Sequence, residues 1–144
     1  MIRPYRLGDL WAVLPSIREE EVRELLALGG TPEVSLRYGI EHGETVTLEI
    51  SDKIVGLAGV IDDGDYLVPW SVFTADICQS PITFLRECKR WLSRYDRPMM
   101  NVVDARNERA KRWLQWLGFT LDEPKPIGVN GELFHVYRRG SWAG

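Results

Sequence analysis

The chain has 144 residues, a formal net charge of −3 at pH 7 and 44% hydrophobic residues, which suits one globular domain with its own core. No apolar run reaches the ~20 residues of a membrane-spanning helix, the N-terminus lacks a signal-peptide core, and the negative charge argues against a nucleic-acid-binding protein. We expect a single domain over residues 1–144, with 139–144 as a loose tail. We also expect a cytoplasmic protein without a membrane or nucleic-acid partner.

The two cysteines give no sign of a metal site or a disulfide. Cys78 and Cys88 are ten positions apart, which is not a spacing typical of metal ligands. In a reducing compartment such cysteines are free thiols. We therefore expect neither a metal ion nor a disulfide.

The first third of the chain predicts one short strand and two helices. The strand is expected over residues 2–6. Ser16 and Glu19 have the spacing of a capping box at the start of a helix. Thr31 followed by Pro32 starts the second helix, as an N-cap residue with proline at the first helical position.

The middle of the chain predicts three consecutive strands. Residues 45–50 alternate between apolar and polar, as in a half-buried strand, and residues 54–61 form the apolar run of a central strand. A third strand over residues 66–73 contains Pro69. Because proline cannot donate a hydrogen bond to a sheet, we expect a bulge or a local break in pairing there, unless this is an edge strand.

The last part predicts two helices and three strands. Ser80 and Pro81 start one helix, a short strand covers residues 99–103, and Asn107 caps or begins the next helix, which Gly118 ends. Two strands complete the chain, over residues 119–121 and 133–137. The predicted order is β-α-α-β-β-β-α-β-α-β-β, an α/β protein with one mixed sheet and helices on both faces.

The segment VDARNERAKRWLQWLGF, residues 103–119, resembles a signature of the GNAT superfamily of acyl-CoA-dependent N-acyltransferases. In that signature a strand ends in valine, Asn-x-x-Ala follows, and a helix closes on Leu-Gly-Phe. The matching residues are Val103, Asn107, Ala110, Leu117, Gly118 and Phe119. The order of predicted elements is also that of the GNAT fold, so the resemblance implies this fold for the whole chain.

The resemblance further implies a site between the fourth and fifth strands, where the pantetheine arm of acetyl-CoA pairs with exposed backbone. In this sequence that backbone lies near Val72, Phe73 and Thr74, and Ser80 begins the helix that receives the pyrophosphate. Asn107 corresponds to an asparagine that touches the cofactor, although an ordinary N-cap explains it equally well. The implied reaction is transfer of an acetyl group to a small-molecule or protein amine.

Two features depart from the family pattern. The loop FTADICQSP has no glycine where the family has a glycine-containing pyrophosphate loop, and Asp76 adds a negative charge. Leu114 stands where a tyrosine often protonates the departing thiolate. A general base cannot be assigned, because none of the candidate residues lies in a motif. These candidates are Glu44, Glu49, Asp65, Glu132 and His135.

Within the superfamily, the sequence looks most like small GNAT-like proteins of short-tailed bacteriophages. The resemblance is carried by Val55-Gly56 with Gly59, PWSVFT, Phe84-Leu85-Arg86, Asn101 to Asp104 with Asn107, and GELFHVYRR. It implies two alternatives in a bacterial host cytoplasm. One is an acetyl-CoA-dependent N-acetyltransferase, and the other is a GNAT fold without catalysis that binds a host or virion protein.

Overall fold

The computed structural model describes residues 1–79 and 82–140. Within them, the strands are β1 (Ile2–Pro4), β2 (Gly43–Ile50), β3 (Lys53–Asp62), β4 (Leu67–Phe73), β5 (Met99–Asp104), β6 (Thr120–Leu121), β7 (Lys125–Pro126) and β8 (Leu133–Arg139). The α-helices are α1 (Asp9–Val13), α2 (Glu19–Ala27), α3 (Pro32–Glu41), α4 (Ile82–Leu92) and α5 (Glu108–Trp116).

All eight strands join one twisted sheet in the order β1-β2-β3-β4-β5-β8-β6, with β7 also paired to β8. Neighbouring strands are antiparallel except β4 and β5, which run parallel. Helix α4 provides the crossover that a parallel pair requires. This confirms the predicted α/β fold with one mixed sheet.

Helices cover both faces of the sheet. On one face, Leu10 and Val13 of α1 and Leu36 of α3 pack on Leu57 and Val72. On the other face, side chains of α4 and α5 pack on the buried residues of β3, β4, β5 and β8. Burial of these apolar surfaces on both sides drives the layers together. The central strand β3 is buried on both faces, as its apolar run predicts.

Several predicted boundaries are confirmed. Thr31 caps α3 by accepting a hydrogen bond from Val34 N at 3.3 Å, and Asn107 caps α5 through Ala110 N at 3.2 Å. Gly118 follows α5 with a φ of +100°, a left-handed conformation that favours glycine. No helix in the described part of the chain is long and apolar enough to cross a membrane.

Other details of the prediction are wrong. The predicted order leaves out the short helix α1, although Gly8 and Asp9 do start a helical turn as their residue types predict, and it also leaves out the two-residue strand β7. The capping box does not form, because Ser16 belongs to a 3₁₀ turn and Arg18 precedes α2 without a side-chain cap. Instead, three consecutive glutamates in the first turn interact favourably with the helix dipole.

The C-terminal boundary also differs. Arg139, expected in a loose tail, is the last residue of β8 and lies opposite Met99. The rest of the predicted tail beyond residue 140 lies outside the described residues, and so does the predicted helix start at Ser80 and Pro81.

The strand that contains Pro69 has no bulge. Pairing of β3 with β4 continues without a register shift from Gly56–Phe73 to Asp62–Leu67. The irregularity occurs instead between Leu48 and Glu49, in the pairing of β2 with β3. The predicted break in pairing does occur at Pro69, but on the side of β5.

Candidate functional site

Strands β4 and β5 meet at their first residues and then separate. Leu67 N donates to Pro98 O at 2.9 Å, and Leu67 lies opposite Met99. This is the residue pair that joins β4 to β5. The next position of β4 that faces β5 is Pro69, which has no N–H to donate. The proline therefore ends the pairing of β4 with β5 without disturbing β3.

The alternation of backbone direction decides which groups of β4 face the gap. Thr74 N donates to Val55 O at 2.9 Å, so Thr74, and Val72 two residues before it, direct their backbone groups toward β3. Ser71 and Phe73 consequently direct theirs toward the gap. The backbone N–H and C=O of Ser71 have no hydrogen-bond partner among the described residues.

The side chain of Asn101 takes the place of the missing strand pairing. Its Nδ2 donates to Pro69 O at 2.7 Å, and its Oδ1 accepts from Val102 N at 2.8 Å. The hydroxyl of buried Tyr137 also donates to Pro69 O, at 3.3 Å. These side chains satisfy backbone groups that would otherwise be unpaired, and so hold the gap open at a fixed place.

Two glutamates of α2 connect the two strands across the gap. Glu21 Oε2 accepts from Phe73 N of β4 at 2.8 Å, and Glu24 Oε1 accepts from Asp104 N of β5 at 2.7 Å. Because Glu21 and Glu24 are three residues apart, they lie on one side of α2. Sequence reasoning missed both. The available signal was this pair of acids beside the apolar residues of α2.

Burial changes the acidity of both glutamates. Desolvation raises the pKa of Glu21 to about 7, against the opposing effects of Arg18 and of the hydrogen bond from Phe73. Desolvation likewise raises the pKa of Glu24 to about 7, although the Asp104 amide lowers it. Carboxylates with such values can accept and release protons near neutral pH.

Arg18 lies beside Phe73 at the gap between β4 and β5. Its backbone N donates to Phe73 O at 3.1 Å, and its side chain, only 7% exposed, lies over the Phe73 ring. Its Nε lies 3.4 Å from Glu20 Oε1 and 3.6 Å from Glu21 Oε2. Both backbone polar groups of Phe73 therefore already have partners within the chain.

A cavity of about 480 Å³ passes through the sheet at the gap. One end lies under α2 and α3, and the other lies against α4 and α5. The first end is lined by Glu24, Leu25, Leu28, Ser35, Leu36, Gly39 and Trp70. The second end is lined by Ile77, Leu85, Asn107, Arg109, Ala110, Trp113 and Leu114. The cavity is thus lined by residues from both faces of the sheet, with the gap between β4 and β5 in its middle.

The structure brings most of the predicted site residues to this cavity. Val72, Phe73 and Asn107 line it, whereas Thr74 is buried next to Phe73, and its hydroxyl has no hydrogen-bond partner among the described residues. Leu114 also lines the cavity. Ser80 lies outside the described residues. A role for these residues in cofactor binding stays a prediction.

None of the base candidates from the sequence lines the cavity. Glu44 accepts a hydrogen bond from Tyr95, and Glu49 from Arg3. The His135 ring is hydrogen-bonded to Asp122 O, and Glu132 accepts from Asn130 N. Asp65 is exposed in the turn after β3. The carboxylates that do reach the cavity are Glu21 and Glu24.

No protein-family model and no curated protein sequence matches the chain. Several solved structures, however, are similar to it. The ribosomal-protein-alanine N-acetyltransferase of Brucella melitensis superposes with a TM-score of 0.71 at 16% identity, covering 98% of this chain and 99% of that one. The ribosomal-protein-S18-alanine N-acetyltransferase of Escherichia coli superposes with a TM-score of 0.67 at 16% identity, covering 100% of this chain and 96% of that one.

A third similar structure is a GNAT superfamily phosphinothricin acetyltransferase of Sinorhizobium meliloti in complex with AcCoA. Its TM-score is 0.66 at 16% identity, covering 100% of this chain and 91% of that one. Identities this low establish the fold alone. The superpositions span nearly the whole of each chain, so the protein has the fold of the GNAT N-acetyltransferases.

Proposed function

We propose that the protein is an acetyl-CoA-dependent N-acetyltransferase. The observation that carries this proposal is the cavity through the sheet between β4 and β5, because it offers two molecules access to one point from opposite faces. The similarity of fold to acetyltransferases, one of them in complex with AcCoA, supports the same conclusion.

The residues at the gap fit a pantetheine-like chain. The unpaired N–H and C=O of Ser71 offer one donor and one acceptor to an extended amide-containing chain. The end of the cavity beside α4 and α5 adds apolar walls, the amide of Asn107 and the cation of Arg109. Phe73 could contribute only if Glu21 and Arg18 released its backbone groups.

Acetyl-CoA, when bound, would supply the thioester from which the acetyl group is transferred to the amine. The chain would then contribute orientation and proton transfer. Glu21 or Glu24 would take the proton of the incoming ammonium group. Leu114 cannot donate a proton to the leaving thiolate, so solvent or another side chain would have to do so.

Calorimetric titration with acetyl-CoA tests the proposal. We expect saturable binding below millimolar concentration and competition by free CoA. Absence of binding at millimolar cofactor would reject an acetyltransferase. The matched control is the variant Glu33→Gln, which changes an exposed glutamate of α3 paired with Arg37, away from α4 and α5, and should leave the affinity nearly unchanged.

A second function is favoured by two observations. The backbone groups of Phe73 are already bonded to Glu21 and Arg18, and Leu114 stands at the position of the family acid. These contacts suit a catalytically inactive GNAT fold that binds a host or virion protein, as the resemblance to phage proteins implies. A pull-down from bacterial lysate that yields a stoichiometric partner, with no acetyl-CoA binding by calorimetry, would support this function instead.

A further inference from the structure

We propose that the cavity end under α2 and α3 binds a primary amine with an apolar substituent, and that Glu24 holds the ammonium group. This inference rests on the proposed function, since it names the class of acceptor for the same cavity. It excludes anionic acceptors and strongly hydrophilic ones.

The walls of this end are mostly apolar, and Glu24 and Ser35 are the polar exceptions. Leu25 and Leu28 of α2, Leu36 of α3 and the ring of Trp70 line it. Gly39 lets the ring lie directly against α3, because a Cβ at residue 39 would come within 2.7 Å of Trp70 Cε2. An alkyl or aryl group would bury apolar surface here, whereas a hydroxyl-rich group would lose its hydration and find few partners besides Ser35 and the indole N–H of Trp70.

The charged groups at this end leave Glu24 available for a cation. Arg18 has two acids of its own, Glu20 and Glu21. Glu24 uses Oε1 for the Asp104 amide, and its Oε2 accepts no hydrogen bond from residues 1–79 or 82–140. Burial raises the pKa of Glu24, and the charge of Arg23 lowers it. No arginine, lysine or histidine in those two ranges, however, forms an ion pair with Glu24, so a cationic ligand would supply a direct partner.

The position of Glu24 also suits the reaction. Glu24 is hydrogen-bonded to Asp104 N of β5, and Glu21 to Phe73 N of β4, so both carboxylates lie at the gap. The proton of the ammonium would pass to Glu24 Oε2. The freed nitrogen lone pair then forms the C–N bond with the acetyl carbon, and the C–S bond breaks. The nitrogen loses a second proton, which solvent carries to the departing sulfur, so the products are the acetamide and free CoA thiol.

Binding of three probes to the protein without CoA tests the inference, with affinities measured by NMR titration. The probes are phenethylamine, its neutral analogue 2-phenylethanol and the anion 3-phenylpropanoate. We expect phenethylamine to bind about tenfold more tightly than the alcohol, because a charge-assisted hydrogen bond replaces a neutral one, and the anion to bind weakest. Equal or tighter binding of the anion would overturn the inference.

Substitutions locate the interaction. Glu24→Gln keeps an oxygen for the Asp104 amide but removes the charge, so it should weaken phenethylamine binding about tenfold and leave the alcohol unaffected. Leu28→Lys places a cation at the half-exposed rim and should also weaken phenethylamine selectively. The control Glu33→Gln changes an exposed glutamate of α3 paired with Arg37 and should change neither affinity. An equal effect of all three variants would refute a role for Glu24.

A separate acetyl-CoA titration distinguishes failure of the proposed amine site from failure of the proposed acetyltransferase function. Binding of acetyl-CoA without any amine binding would reject the acceptor site and keep the proposed acetyltransferase. Selective amine binding without acetyl-CoA binding would support the amine site and reject the acetyltransferase.

Discussion

The carboxylate of Asp9 ties the first strand to the sheet. It accepts hydrogen bonds from both terminal nitrogens of Arg3 at 2.8 and 3.0 Å, from Thr47 Oγ1 at 2.7 Å and from Arg6 N at 2.8 Å. Asp9 is 6% exposed and Thr47 is fully buried, so few waters could replace these bonds. The Arg3 and Thr47 hydrogen bonds hold the pKa of Asp9 below its usual value, in spite of its burial.

Replacing this carboxylate should therefore destabilise the protein. We expect Asp9→Asn to lower the free energy of unfolding by about 2–3 kcal/mol at pH 7, because Arg3 keeps only Glu49 as a charged partner and loses the more buried of its two carboxylates. Urea denaturation measures the change. Asp65→Asn, in an exposed turn, is the control and should have an effect within about 0.5 kcal/mol. Similar effects of the two substitutions would contradict this account.

Helix α5 depends on a residue for which the sequence allows two roles. Asn107 is 4% exposed, caps the helix through Ala110 N and lines the cavity. The cap explains its residue type without any ligand. Its position at the cavity allows contact with a cofactor as well, so the two roles must be separated by substitutions that affect them differently.

Two substitutions separate these roles. Asn107→Ser keeps an N-cap oxygen and should cost little stability, whereas Asn107→Ala should cost about 1 kcal/mol. Both remove the side-chain amide, so both should weaken acetyl-CoA binding by a similar factor if Asn107 contacts the cofactor. Thermal unfolding and calorimetry give the two quantities. If Asn107→Ser binds acetyl-CoA like the unchanged protein, Asn107 is a cap alone.

Helix α2 connects the two parts of the sheet across the gap. Glu21 binds the strand on one side and Glu24 the strand on the other, so both carboxylates are desolvated where β4 and β5 separate. Burial raises the pKa of each from 4.5 to about 7. The folded protein thus holds protons on these groups more tightly than the unfolded chain does.

The stability of the protein should fall across the corresponding pH window. Because the folded pKa values are raised, the contribution of these groups is full below pH 4.5 and is lost as pH rises toward and through 7. We expect the free energy of unfolding of the unchanged protein to fall by an amount on the order of 2–4 kcal/mol between pH 4.5 and 8. The double variant Glu21→Gln, Glu24→Gln should not show this fall. Urea denaturation at several pH values tests this. A parallel pH dependence of both proteins would contradict it, and Glu33→Gln serves as the exposed control.

The pattern of residues along the chain determined the fold class and most of the helices and strands, although not the short elements α1 and β7. Periodic apolar residues, the caps at Thr31 and Asn107, and Gly118 are local signals, so they can be recognised without a structure. The break at Pro69 was predictable for the same reason, because a missing N–H is a property of the residue itself.

Only the tertiary structure decided which residues lie at the gap between β4 and β5 and which groups they contact. Whether Pro69 faces β3 or β5 depends on strand register, and the partners of Glu21 and Glu24 are 52 and 80 residues away. Local patterns carry no information on such distances. The cavity and its two carboxylates arise from long-range packing, which is why the sequence identified the strands on either side of the site but not the acids that bridge them.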